Sequence, residues 1–435
     1  MGKVTVQKEI GGRMLSLETG HWAKQAHGAV VVRYGDTVVL ATVLVSPTAD
    51  TEIDFFPLYV DYRENQYAAG KIPGGFFKRE GRPSTKEILT MRMIDRPIRP
   101  LFPHYYRNEV QIQCMVLSTD NENDPDILAL IGSAAALAIS PAAFAGPLGT
   151  ARIGYIDGQY VVNPTHSQLA NSEMELFACG PREGLNMIEF QGRELSEEVV
   201  AGATLAALEA IRQITDLISE LVAQCPVKKN AELQGLPEAL VTKLRQSYGP
   251  KVRAAKQIFA KVERNDALSA LKDEAVAELC PEDVVEPPFA PEQVKMAFYE
   301  LEGSVQRDLI LNNIRPDGRA MDQVRPLAME VGVLPRTHGS AIFARGETQA
   351  LTTITLGTRR DQPIIDGLLD EYKKSFFLHY NFPPFSVGEI RPIRGPGRRE
   401  IGHGALAEKS LEPVLPDESV FPYTIRVVSD ILESN

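Results

Sequence analysis

The sequence predicts two copies of a mixed α/β core separated by an all-helical segment. Three observations carry that fold class. The first and last thirds alternate apolar and polar residues as strands do. The middle, from 229 to about 308, is rich in Ala, Glu, Lys and Leu at helical spacing. Four segments of the first third return in the same order near the C-terminus, at an offset that stays between 311 and 321 residues. An offset that steady is the signature of an internal duplication.

The elements follow in order. VTVQKEI and RMLSLETG read as strands, and GAVVVRYGDTVVLATVLV as a hairpin turning near Tyr34-Gly35-Asp36. Ser84-Thr85-Lys86-Glu87 is a capping box, so a helix starts there, and Pro97 is expected to end it. DPDILALIGSAAALAIS, from Asp124, reads as a buried helix with an acidic start. RIGYIDGQYVV, MELFACG and MIEF read as strands. Ser196 to Gln224 reads as an amphipathic helix with Leu205, Leu208, Ile211 and Ile214 on one face. PEDVVEPPFAPEQ breaks the helical middle as a loop. After Arg315-Pro316-Asp317-Gly318-Arg319 the strands return. VRYGDTVVLATVLV is matched by IFARGETQALTTITLG, and DFFPLYVDYRENQYAAGKIPG by SFFLHYNFPPFSVGEIRPIRG. GFFKREGRP is matched by GPGRREIGHG, and VQIQCMVLSTDNE by YTIRVVSDILESN. The expected division is a first core over 1–228, a helical domain over 229–310 and a second core over 311–435. The match to the first copy stops at Asn435, so the second core is expected to be incomplete and the sequence to be a piece of a longer protein.

Composition narrows the function. The 435 residues carry a net charge of −11, which excludes a uniformly basic nucleic-acid binder. The charge is nevertheless segregated: Lys71 to Arg107 holds nine Lys/Arg against three Asp/Glu, and Lys272 to Glu302 two against nine. Cys114, Cys179, Cys225 and Cys280 lie far apart and read as reduced thiols. No apolar run is long enough for a membrane span, and the N-terminus lacks a signal-peptide core, so a cytoplasmic protein without a membrane partner is expected.

Three stretches carry candidate chemistry. GFFKREGRPS sets Phe76, Phe77, Lys78, Arg79 and Arg82 in a loop bounded by Gly and Pro. Aromatic faces stack bases while cations hold phosphates, the arrangement that single-strand binding uses. Arg92 and Arg96 lie four apart on the helix that follows, with Asp95 between them, and read either as a phosphate clamp or as partners of that aspartate. GPGRREIGHG offers Arg398, Arg399 and His403 among glycines that let the backbone approach a ligand. Other chemistry is missing. Gly70-Lys71 is followed by Ile72 rather than by a Walker-type Ser or Thr, and there is no HExxH, no GxSxG and no Cys/His metal cluster. Asp61, Asp95 and Asp126 are too scattered to nominate as a metal site.

FFPLYVDYRENQYAAGKIPGGFFKREGRPS, RMIDRPIRPLFP, GVLPRTHGSAIFARGETQAL, HYNFPPFSVGE, GRREIGHG and FPYTIRVVSDILESN resemble the bacterial polynucleotide phosphorylases, or polyribonucleotide nucleotidyltransferases. The resemblance spans the whole chain. It implies duplicated RNase PH-like cores, of the ribosomal protein S5 domain 2-like type, and a ring-shaped homotrimer. It also implies KH and S1 domains that this sequence lacks. The activity implied is 3′-to-5′ phosphorolysis of single-stranded RNA. Inorganic phosphate attacks the terminal phosphodiester and releases nucleoside diphosphates, reversibly, in mRNA decay, with RNA-degradosome components as possible partners. The alternative is a noncatalytic RNA-binding ring subunit; a hydrolytic nuclease is a third reading. The resemblance implies roles for Arg398, Arg399 and His403 at the scissile bond, and RNA-holding roles for Phe76, Phe77, Lys78, Arg79, Arg92 and Arg96. The implied cofactor is Mg²⁺ (or Mn²⁺), bound by residues absent from this chain, as is a serine-rich phosphate loop expected after Glu433-Ser434-Asn435. The first core has Asn123-Asp124-Pro125-Asp126 in that place. It is therefore expected to be catalytically silent, its acidic loop repelling phosphate, and residues 1–435 alone are expected to be inactive.

Overall fold

The computed structural model describes every residue except 1, 51, 52, 54, 226, 231–234, 282–286, 394 and 435. Asn435 and part of the expected PEDVVEPPFAPEQ loop lie outside the described residues. The chain divides into two compact units, Met1–Leu233 with Ala328–Asn435, and Gln234–Leu327.

The larger unit begins with strands β1 (Val4–Ile10), β2 (Arg13–Thr19), β3 (Gly28–Tyr34), β4 (Thr37–Ala49) and β5 (Leu58–Glu64). Helix α1 (Thr85–Ile98) crosses from β5 to β6 (Asn108–Ser118), and α2 (Pro125–Ala138) follows. The strands form one sheet in the order β1-β2-β3-β4-β6-β5. Only β5 and β6 are parallel, because α1 supplies the crossover that a parallel pair needs. The β3–β4 hairpin turns at Gly35, whose φ of +62° lies in the left-handed region. Every residue of α2 is buried. This all-round burial is what an apolar helix without a polar face requires. Pro97 does not end α1 as expected: it sits in the last turn, and the helix runs on to Ile98.

A second sheet follows from β7 (Gly149–Ile156), β8 (Gln159–Val162), β9 (Met174–Gly180) and β10 (Met187–Gly192), ordered β10-β9-β7-β8, with a single turn α3 (His166–Leu169) between β8 and β9. Helix α4 (Glu197–Gln224) buries Ala203, Ala207, Ala210 and Ile211 against Ala151, Ile153 and Leu176 of that sheet.

Among its described residues the smaller unit has three helices: α5 (Glu238–Ala255), α6 (Lys261–Leu279) and α7 (Pro291–Leu311). Its own core joins Leu240, Leu244 and Tyr248 to Leu268, Leu279, Phe298 and Leu309. The Tyr248 hydroxyl donates to Glu278 at 2.7 Å.

The larger unit resumes with β11 (Leu327–Val331), β12 (Gly339–Arg345), β13 (Thr348–Gly357), the short pair β14 (Ile364–Ile365) and β15 (Tyr372–Lys373), β16 (Phe376–Asn381), α8 (Arg398–Leu411) and β17 (Thr424–Glu433). The sheet order β11-β12-β13-β17-β16 repeats β2-β3-β4-β6-β5, and β16 is parallel to β17 as β5 is to β6. The duplication reaches single hydrogen bonds. The His27 Nδ1 accepts from Val45 N, and the His338 Nδ1 from Leu356 N, both at 2.9 Å. Among the described residues no helix is long and apolar enough to cross a membrane.

Candidate functional site

The two crossover helices meet, α1 of the first core against α8 of the second. Both start in the same way. Glu87 is the third residue of α1; its carboxylate accepts from Ser84 N at 2.6 Å and from Glu64 N at 2.9 Å. Glu400 is the third residue of α8; its carboxylate accepts from Gly397 N at 2.7 Å and from Phe382 N at 2.9 Å. These paired bonds fix the register between the copies. Arg398 and Arg399 stand opposite Thr85 and Lys86, and His403 opposite Thr90.

This corrects the sequence pairing of GFFKREGRP with GPGRREIGHG. The two stretches share Gly and Arg, but only the first is loop throughout. Residues 398–404 are the first turns of a helix, hidden by a glycine cap and by Gly402 and Gly404. Those glycines serve packing rather than a ligand. A Cβ on Gly402 would run into the Arg92 guanidinium, and one on Gly404 would lie 3.3 Å from the Tyr380 Cβ. Their smallness lets α8 approach α1 and β16.

At this seam Arg92, Arg399 and His403 come together. Burial, then the charges of Arg96 and Arg399, pull the Arg92 pKa below that of an ordinary arginine. Burial, then Arg399 and Arg92, hold the His403 pKa below that of an ordinary histidine, so its imidazole is neutral at pH 7. The ring stands edge-on to Tyr380 at 5.5 Å. The Arg399 guanidinium lies 6.0 Å from the Phe382 ring centroid. Among the described residues no carboxylate pairs with Arg92 or Arg399.

Asp95 is not the partner of Arg92 or Arg96. It binds Arg99 through two oxygens at 2.8 and 2.6 Å. Arg96 instead pairs with Glu189 on β10 at 2.6 Å, a residue that the sequence reading missed. No local pattern marks it, because it lies 93 positions away. Arg398 reaches toward β5. It donates to Val60 O at 2.9 Å, lies 3.9 Å from an Asp61 oxygen and lines a groove of about 590 Å³ with Tyr59, Asp61, Gln111 and Gln113.

Phe76 and Phe77 are 93% and 87% exposed and pack edge to face. They belong to no core. Lys78, Arg79 and Arg82 are exposed beside them. The loop is held at its base: the Lys71 Nζ donates to Gly367 O and Leu369 O at 3.0 and 2.5 Å, while Ser84 caps α1 at the other end.

In the first core the acidic loop is not an exposed repulsive surface. The Asp124 side chain accepts from Asp126 N at the start of α2. It also faces Arg152 at 3.0 Å and Lys86 at 3.3 Å. Asp126 meets Arg152 at 2.6 Å, and Lys86 also reaches Glu64 at 3.2 Å. Burial would raise the Asp124 pKa, but Lys86 and Arg152 hold it well below the ordinary carboxylate range. Burial likewise opposes the Lys86 charge, and Asp124 with Glu64 more than restores it. The carboxylates of this loop are thus paired internally, with Asp124, Asp126, Glu64 and Glu175 sharing the two cations Lys86 and Arg152. Among the described residues, no group of three or more His, Cys, Asp or Glu could hold a metal ion.

A duplicated α/β scaffold thus brings the arginines of its two crossover helices together at one seam. The chain belongs to the 3′ exoribonuclease family. The model of that family's domain 1 matches residues 11–142 and again 323–435, and that of domain 2 matches 146–210. A model described as "Polyribonucleotide nucleotidyltransferase, RNA binding domain" matches 239–320. The chain is 51% identical over 433 residues to a polyribonucleotide nucleotidyltransferase of Rhodopirellula baltica, covering 100% of this chain and 57% of that protein. It is 50% identical to one of Acidiphilium cryptum, covering 99% and 60%. It thus spans about three-fifths of the length of these relatives. The solved structure of rice (Oryza sativa) Rrp46 aligns at 15% identity and a TM-score of 0.39, over 51% of this chain and 94% of that one.

Proposed function

We propose that the α1–α8 seam grips the 3′-terminal phosphates of single-stranded RNA for phosphorolysis. The observation that carries this reading is the meeting of Arg92, Arg399 and His403, with Arg96 alongside, where no carboxylate pairs with Arg92 or Arg399. Guanidiniums suit phosphate oxygens because their N–H groups match them in pairs. In the reaction an oxygen of inorganic phosphate attacks the phosphorus of the last nucleotide. The bond to the penultimate 3′ oxygen breaks, that oxygen takes up a proton, and a nucleoside diphosphate leaves. Arg399 and Arg92 hold the two anions that must approach each other, a task for fixed positive charge. The neutral His403 donates or accepts a hydrogen bond beside them. Arg398 braces the first turn of α8 against β5. Phe76 and Phe77 stack bases upstream, with Lys78, Arg79 and Arg82 on the backbone.

The same proposal takes residues 1–228 as a silent core, 229–310 as the helical domain and 311–435 as the core that carries the seam's reactive side. It includes a homotrimeric ring in the cytoplasm, a part in mRNA decay and association with other decay factors. Mg²⁺ is the family's cofactor, but no step is assigned to it on the residues present. Residues 1–435 are proposed to hold RNA without turning it over.

The test uses the whole protein with single-stranded RNA, phosphate and magnesium. Nucleoside diphosphates are expected; monophosphates released in phosphate-free buffer would replace phosphorolysis by hydrolysis. The 435 residues by themselves should bind RNA in a salt-dependent way and release nothing. Sustained diphosphate release by them, lost in Arg399→Ala, would place the complete catalytic centre within this chain.

A further inference from the structure

Strand β10 forms a third wall of the arginine seam. The Asn186 Nδ2, just before the strand, donates to Pro97 O at 2.9 Å and ties it to the end of α1. The Gln191 Nε2 lies 3.4 Å from a Glu412 oxygen just past α8. Between them Glu189 reaches Arg96 at 2.6 Å, with 19% of its side chain exposed against 44% for Arg96. The other carboxylates of the two helices are committed elsewhere. Asp95 binds Arg99, Glu400 accepts from the backbone of Gly397 and Phe382, and Glu408 pairs with Lys374. Glu189 is therefore the acid paired with Arg96, and its charge, after that of Asp95, also acts on Arg92.

We infer that Glu189 is a resident counter-ion of the seam: it holds Arg96 beside Arg92, and an RNA phosphate must displace it from Arg96 to gain that contact. This rests on the reading that the seam grips RNA. Glu189 is a positioning residue, since it acts through Arg96. Its charge is not needed to hold the strand in place, because the uncharged Asn186 already does so. The physical consequence is a lowered affinity. A phosphate that takes Arg96 leaves Glu189 unpaired nearby, so part of the attraction is cancelled by a like charge. The net number of phosphates neutralised, which sets the salt dependence of binding, falls short by about one. A seam of arginines without such an acid would hold its strand more tightly and release it more slowly.

The test is binding of a fluorescent single-stranded oligoribonucleotide across a salt series, with wild type, Glu189→Gln, Arg96→Ala and the double variant. Glu189→Gln is expected to bind about three- to tenfold more tightly at low salt. Its plot of log K against log salt should be steeper by about 0.7, the single-strand increment for one more phosphate. In the Arg96→Ala background the same substitution should change both quantities by clearly less, because the main effect runs through Arg96 and only the weaker action of Glu189 on Arg92 remains. If Glu189→Gln fails to melt cooperatively, Glu189→Asp is used instead. It keeps the charge but shortens the reach, and is expected to shift both quantities the same way by less. Weaker binding by the Gln variant at an unchanged slope would make Glu189 a plain brace and overturn the inference. An effect of undiminished size without Arg96 would also overturn it. Absence of RNA binding by the wild type would sink the seam reading itself and the inference with it.

Discussion

Val43 and Ile354 hold the same place in the two copies, one on β4 and one on β13, yet Val43 is fully buried and Ile354 is 38% exposed. The first core is roofed by α2, so its sheet, helices and loops share one continuous apolar interior. The second core has the same strand order, but its own buried apolar cluster is Phe376, Leu378 and Val427, and Phe343 remains 42% exposed. The contrast extends to the crossover helices. Lys86 and Arg399 are each the second residue of their helix. Lys86 is held by Glu64 and Asp124, whereas Arg399 has no carboxylate partner among the described residues. One scaffold thus supports two electrostatic outcomes. Where the protein supplies its own anion, as at Lys86, the cation is held within the core; at Arg399 no carboxylate does so among the described residues.

The largest effect expected from this contrast lies in the closed core. Arg152→Met leaves Asp124 and Asp126 with much of their positive charge gone, and truncating one partner of a buried ion network costs about 3–5 kcal/mol. Chemical denaturation should show that loss. A change under about 1 kcal/mol would mean that water reaches the network and that the core is not closed.

The mirror experiment sharpens the comparison. Arg399→Ala, one copy away from Lys86, should leave the denaturation midpoint nearly unchanged and weaken RNA binding by about 1.5–3 kcal/mol, the range for hydrogen bonds to a charged group. Lys86→Met should do the reverse. If both variants lose stability and neither loses RNA, the two helix starts are equivalent and the contrast is wrong.

The aromatic loop tests whether gripping and bond-breaking are separate. Phe77→Ala in the whole protein should weaken long single strands by about 1–3 kcal/mol, the usual stacking contribution. Dinucleotide turnover should suffer much less. Equal loss on long and short substrates would move Phe77 to the scissile bond.

These contrasts were unevenly legible in the sequence. The duplication could be read because hairpins keep their residue spacing: Gly35 and Gly346 both turn with positive φ, 62° and 58°. The aromatic loop could be read because adjacent Phe residues flanked by Gly, Lys and Arg have no burial pattern to satisfy. The start of α8 was obscured, because Gly397 offers no side-chain cap and Gly402 and Gly404 look like loop residues until Arg92 and Tyr380 are seen against them. The pairing of Asp124 with Arg152 and of Arg96 with Glu189 joins residues distant in the chain. Only the packing of one sheet against another element decides such pairs, and no spacing rule reaches them.

The smallest effect concerns His403. Its folded pKa lies below the ordinary value of about 6.5 because of burial and of Arg399 and Arg92. As pH falls through 6.5 the unfolded chain therefore takes up this proton first. The group costs no stability above that pH, and it lowers stability progressively as pH drops toward the folded value. Once the folded ring is charged it adds a fourth cation to the seam, so RNA affinity should rise over the same interval. His403→Gln should flatten both trends while leaving affinity at pH 8 close to that of the wild type. The measurement is a pair of titrations between pH 8 and pH 5, one of thermal midpoint and one of RNA binding. If the wild type and His403→Gln run parallel in both, His403 does not share the field of Arg92 and Arg399. The open character of the second core would then rest on its arginines alone.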